Sequence, residues 1–130
     1  DSSMIFTDLF KMIQLAGLED WFDSSGLQVT LFAPTNKAIH LMMKRLGYKT
    51  LEDLWAKGPD YLHSLIAGFM VPQRLTPEDD LTDLNTFYTV SGYKLVVNNR
   101  DDQLSIGSPQ ALAHVIGNPI YVDEGVVYVV

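Results

Sequence analysis

Apolar spacing changes period near Gly68, and that change restricts the chain to folds that place helices first and strands second. Before it, Ile5, Phe6, Leu9, Phe10, Met12 and Ile13 recur three and four residues apart, which marks one buried helical face. Gly17 suits the left-handed position that closes such a helix. Leu18, Trp21 and Phe22 suggest a short second turn, broken by Ser24, Ser25 and Gly26. Residues 29–33 are apolar and β-prone and predict a buried strand that Pro34 stops. Thr35 or Asn36 can cap a helix with Ala38, Ile39, Met42, Met43 and Leu46 on its apolar side, closed by Gly47. Thr50 and Asp53 resemble a capping box, and Pro59 fits the first turn of a helix through Tyr61, Leu62, Leu65 and Ile66. Phe6, Phe10, Trp21, Phe22 and Phe32 fall on apolar faces and are expected in the core.

After Gly68 the pattern moves toward period two. Thr76 is expected to cap a short helical turn over Pro77, Glu78 and Asp79. Strands are predicted at 86–91, 93–98, 103–106, 111–116, 120–122 and 126–130. Gly92, Asn98-Asn99, Gly107-Ser108-Pro109 and Gly117-Asn118-Pro119 separate them. Strands at this spacing pair antiparallel, and helices followed by strands give an α+β domain. No linker, repeat or low-complexity stretch interrupts residues 1–130, so one domain is expected.

Composition then excludes function classes. Acidic residues outnumber basic ones 16 to 9, for a net charge of −7. Nucleic-acid binders need a basic surplus, and anionic membranes attract one, so neither partner is expected. Apolar residues are 47% of the chain, which supports a real core. With no cysteine there is no disulfide framework, thiol nucleophile or thiolate metal site. No apolar run approaches the roughly 20 residues that span a bilayer. The segment begins at Asp1 without a leader-like pattern, as a mature or excised piece also would.

The residues that carry chemistry are scattered. His40, His63 and His114 stand alone in their segments, without H-E-x-x-H or i, i+4 spacing, so structural or surface roles are expected and no metal is assigned. Neither a G-x-S-x-G elbow nor a Gly-rich phosphate loop occurs. Glu78, Asp79, Asp80 and Asp83 form the densest acidic run, which reads as a solvated face at a helix start rather than a cation loop. Residues 98–102 read as a hairpin loop. Phe87 and Tyr88 are adjacent in a predicted strand, so both cannot face inward. An outward aromatic near Tyr93 or Tyr121 is a candidate contact for a carbohydrate or protein, against the plainer reading of a cross-strand pair.

Residues 30–39, Thr-Leu-Phe-Ala-Pro-Thr-Asn-Lys-Ala-Ile, resemble the first signature box of fasciclin-like (FAS1) domains. Residues 62–72 are similar to the helix and strand that normally carry a Tyr-His pair, and 75–81 to the turn that follows. Residues 90–95 resemble the family's T-x-x-G-x-x-L strand, and 125–130, Gly-Val-Val-Tyr-Val-Val, its second box. There are departures. The second-box Asn and His positions hold Glu124 and Tyr128, and the Tyr-His pair falls on Gly68 and Phe69. The Asp-Ile pair linked to integrin recognition in animal members falls on Pro119-Ile120.

The resemblance implies N-terminal helices packed on an antiparallel β-sandwich or wedge formed mainly by the C-terminal half. It implies a non-enzymatic, secreted or surface-attached adhesion module, often in tandem, without a cofactor. The partner would be a protein or carbohydrate of matrix or cell surface. The location would be extracellular or cell-surface, periplasmic or outer-membrane anchored in a Gram-negative source. Lack of cysteine and of an Asn-x-Ser/Thr sequon points toward a bacterial or otherwise unglycosylated member. Animal-type integrin binding is not expected, because Pro119 cannot ligate a cation. Partner contacts are expected from Tyr121, Asp123 and Glu124, which flank the final hairpin. The rival expectation is a small-ligand binder or hydrolase that uses a pocket between helices and sheet.

Overall fold

The computed structural model describes residues 6–19, 28–101, 103–108, 111–122 and 125–130. The expectations placed on Ile5, Trp21, Phe22, Ser24, Ser25 and Gly26 lie outside them. The chain divides into two compact units, one of residues 1–26 and 33–66, the other of 27–32 and 67–130.

The first unit is helical: α1 (Thr7–Leu15), α2 (Asn36–Arg45), α3 (Leu51–Trp55) and α4 (Pro59–Ala67), whose last residue belongs to the second unit. α1 buries Leu9 and Met12, α2 buries Ile39 and Met43, and α3 buries Leu54, as their three- and four-residue spacing requires. Phe10 departs from expectation. It lies on the solvent side of α1 at 54% exposure, touching Phe6 at a centroid distance of 6.4 Å. Leu9 and Met12 already fill the inward stripe, and the helical turn carries Phe10 away from it.

The helix ends follow local chemistry. Thr35 caps α2 by accepting from the Ala38 N–H, and Thr50 caps α3 by accepting from the Asp53 N–H. α1 and α2 end in the same way. Gly17 N–H donates to Gln14 O and Leu18 N–H to Ile13 O; Gly47 N–H donates to Lys44 O and Tyr48 N–H to Met43 O. Both glycines have positive φ, 72° and 91°, which this termination needs.

The second unit holds two four-stranded sheets. One orders its strands β2 (Met70–Val71), β1 (Val29–Ala33), β8 (Gly125–Val129), β7 (Ile116–Val122); β1 ends on Ala33 of the first unit. The other orders β3 (Thr86–Tyr88), β4 (Lys94–Arg100), β5 (Gln103–Ser108), β6 (Ala111–His114). β1 with β2, β3 with β4, β4 with β5, β5 with β6 and β7 with β8 pair antiparallel. Between β6 and β7 the Val115 N–H still donates to Leu104 O, so one extended stretch serves first one sheet and then the other. Both sheets contribute to one apolar cluster of Phe32, Val71, Leu75, Leu81, Val97, Ile106, Val126 and Tyr128.

Four expectations need correction. The Asn-rich segment 98–102 is not a loop: Asn98, Asn99 and Arg100 pair with Ser105, Leu104 and Gln103, which leaves a two-residue connection. Asp101 takes φ 54° there, a conformation Asp tolerates at the tip of a tight hairpin. Gly117-Asn118-Pro119 is not a break but the middle of β7, with an irregular register between Ile116 and Ile120. β7 lies at a sheet edge, where a proline's missing N–H need not cost a ladder bond. Residues 76–80 form the expected single turn, with the Asp80 N–H donating to Thr76 O, but its cap differs. There Asp80 accepts from the Thr76 N–H, the reverse of the expected cap. β3 stops at Tyr88, three residues short of the predicted end.

Candidate interaction surface

The first-box residues act as a structural bracket. Thr30 is fully buried; its hydroxyl donates to Gln73 O at 2.7 Å and accepts from the Leu75 N–H at 2.9 Å. Phe32, two residues on, is 5% exposed and stacks on Tyr128 with centroids 5.4 Å apart and planes at 22°. Tyr128 is itself buried, and its hydroxyl donates to Leu75 O at 2.9 Å. The tyrosine that stands at the second box's His position is therefore a core strut. A ring supplies the apolar area and the phenol finds the partner that burial demands.

Asn36 has a role the sequence did not reveal. Its Oδ1 accepts from the Asp8 N–H at 3.0 Å and its Nδ2 donates to Thr7 Oγ1 at 2.8 Å. The residue at the N-cap of α1, Phe6, caps nothing with its own side chain. The orphan amide at the start of α1 is thus capped from the start of α2, 28 residues away. Beside it His40 Nε2 lies 3.2 Å from Asp8 Oδ2, with the His40 side chain 52% exposed.

Among the described residues of the strand unit, four large apolar side chains are exposed: Leu84 at 60%, Tyr88 at 60%, Val90 at 46% and Tyr93 at 71%. Three of them cluster in sequence at the β3–β4 connection, whose geometry is well specified. Gly92 N–H donates to Thr89 O, Thr89 N–H donates to Tyr93 O, and Gly92 has φ 90°. A turn followed by a left-handed residue is a common three-residue hairpin loop. Thr89, buried, locks it further: its hydroxyl accepts from the Tyr93 N–H and shares a hydrogen bond with Ser91 Oγ. Phe87 packs against the apolar cluster while Tyr88 faces out, as strand alternation requires. Tyr88 sits opposite Lys94. The loop thus holds its exposed aromatic residues on a fixed backbone.

The other candidates separate. Tyr121 lies in β7, while Asp123 and Glu124 are outside the described residues. His63 is exposed on α4, and His114 lies in β6 opposite Ser105. The acidic run is spent on structure at two positions. Asp80 holds the Thr76 turn, and Asp83 accepts from the Asn99 N–H and from Arg100 Nε, both at 2.9 Å. Those contacts, the Asn99 amide first, hold the Asp83 carboxyl below its ordinary value. Among the described residues no three His, Cys, Asp or Glu side chains are grouped as a metal site would need. No helix among them is long and apolar enough to cross a membrane.

The model of the Fasciclin domain family matches residues 5–130. The chain belongs to the Fasciclin domain family. A FAS1 domain pair from the insect cell adhesion molecule fasciclin I has a similar structure, with a TM-score of 0.72 and 16% identity. The likeness covers 99% of this chain and 44% of that one, so this Fasciclin domain spans less than half of its neighbour's length. At that identity the likeness establishes the fold, and this chain has the FAS1 fold. No curated protein matches it in sequence.

Proposed function

We propose that this Fasciclin domain is a non-enzymatic interaction module, extracellular or on a cell surface, that adheres to a protein or glycan of the surrounding matrix. Family membership over residues 5–130 carries the reading, since FAS1 domains are interaction modules. The exposed Tyr88, Val90 and Tyr93 on a hydrogen-bonded hairpin support it. Aromatic side chains on a rigid loop supply contact area at small entropic cost, whether the partner is a protein or a sugar ring. Tyr121, Asp123 and Glu124 around the last hairpin are proposed as further contacts. In this reading the domain works as one unit over residues 1–130 and takes part in a longer, tandem protein.

The His40–Asp8 pair does not favour the hydrolase alternative, because it sits on an open helix face without the enclosure that activates such a pair. Beads coated with the domain, passed over arrayed matrix proteins and polysaccharides, test the proposal. Retention on a discrete subset is expected, with a clear loss for Tyr88→Ala/Tyr93→Ala or Asp123→Ala/Glu124→Ala. Retention on nothing, or retention that all four substitutions leave unchanged, contradicts it.

A further inference from the structure

One face of α2 is charged in a way the rest of the chain is not. Lys37, His40, Leu41 and Lys44 follow at i, i+3, i+4 and i+7, and together with Asn36 they line a shallow open depression. All four are exposed, Leu41 at 49%, while Ile39 and Met43 occupy the buried side. Residues 24–51 contain no Asp or Glu, yet they hold four of the nine Lys and Arg, in a chain of net charge −7. Among the described residues no ion pair takes up Lys37, Lys44, Arg45 or Lys49. The Asp8 carboxylate beside this face is occupied by His40.

Helix stability explains only half of the pattern. Lys44 and Arg45 lie in the last turn, where cations complement the helix dipole. Lys37 lies in the first turn, where the dipole disfavours a cation, and no acid there offsets it. Leu41, between two lysines, leaves about half of its surface exposed rather than buried in the core.

We propose that this face binds a linear anionic polysaccharide, with Lys37 and Lys44 pairing to sulfate or carboxylate groups and Leu41 against the apolar face of a sugar ring. The inference rests on the extracellular interaction reading and specifies its glycan partner. The two lysines are about 10.5 Å apart along the helix axis, a distance that suits charges repeating along an extended chain. A bilayer fits less well, because the apolar side of α2 points inward and Leu41 alone offers little to insert. A nucleic acid fits less well, because the rest of the chain repels a polyanion that wraps it.

The test titrates the chain with a sulfated heparin octasaccharide and with a polygalacturonate oligomer at several salt concentrations. Vesicles containing phosphatidylserine and sedimentation of the chain alone run in parallel. The proposal expects salt-dependent binding of at least one oligosaccharide. Lys37→Gln/Lys44→Gln should weaken it by roughly tenfold or more. Its salt slope should fall by about two. Lys57→Gln/Lys94→Gln, off this face, should leave both unchanged. No oligosaccharide binding, equal loss in both double variants, tighter binding to vesicles, or self-association that Lys37→Gln/Lys44→Gln abolishes would each overturn it. The bead assay separates the two proposals: retention on matrix proteins that Lys37→Gln/Lys44→Gln leaves intact, with no oligosaccharide binding, removes this inference and keeps the module.

Discussion

Phe32 and Tyr128 bring the two signature boxes together, and each half of that contact has its own magnitude. Phe32→Ala removes a ring that is 5% exposed and stacked at 5.4 Å on Tyr128. Truncating a buried phenylalanine costs roughly 3–5 kcal/mol, the transfer term plus the cavity left behind. For a domain of this size that lowers Tm by about 10–20 °C. Tyr128→Phe keeps the ring and the stacking but deletes the hydroxyl that donates to Leu75 O. The carbonyl left unpaired in the core costs roughly 1–3 kcal/mol. Urea unfolding followed by circular dichroism measures both, and the order is the discriminating outcome: Phe32→Ala well below Tyr128→Phe, Tyr128→Phe below wild type, and slopes unchanged. A neutral Tyr128→Phe would refute the buried hydrogen bond. A Phe32→Ala cost under about 1 kcal/mol would place β1 outside the core, against the large-to-small rule.

Three further perturbations follow from the same contacts. Asn36→Ala uncaps α1 and should cost about 0.5–2 kcal/mol. The Asp8 amide should also lose hydrogen-exchange protection more than amides in the middle of the helix. Thr30→Val preserves shape but strips both partners of the buried hydroxyl; a loss of roughly 1–3 kcal/mol in thermal or urea unfolding is expected, and no loss would mean that Gln73 O and Leu75 N–H find other partners. Asp83 has a depressed folded pKa, so its contribution is present above the unfolded value near 4 and is lost as pH falls through the folded value. The stability gap between wild type and Asp83→Asn should therefore be constant near neutrality and close in acid; a gap that is the same at all pH values would show that the carboxylate charge is not what the Asn99 amide and Arg100 read.

What the sequence disclosed was local. β1, the Thr35 and Thr50 caps and the glycine-closed ends of α1 and α2 all depend on residues within a few positions of one another, so pattern alone located them. The residues it missed act over distance. Asn36 caps a helix that begins 29 positions earlier, and Tyr128 answers a carbonyl 53 positions away, so no window contained either pair. Two segments were misread for a related reason. Asn98-Asn99-Arg100 carry turn-forming residues, but pairing with β5 overrides that preference, and Gly117-Asn118-Pro119 stay within β7 as the irregularity between Ile116 and Ile120, both paired with β8. Phe10 shows the limit of apolarity as a burial signal: the spacing was right for a helix, but the stripe was already full.

Adhesion by this domain is measured by cell attachment. Plates coated with the domain, with Tyr88→Ala/Tyr93→Ala or with Asp123→Ala/Glu124→Ala are compared with and without EDTA. Attachment to the unaltered domain is expected to be unchanged by EDTA, since the resemblance to animal members sets Pro119 against their Asp, together with a marked loss in the variants. No attachment above a bare plate, or attachment that EDTA abolishes and that the four substitutions do not affect, would contradict it.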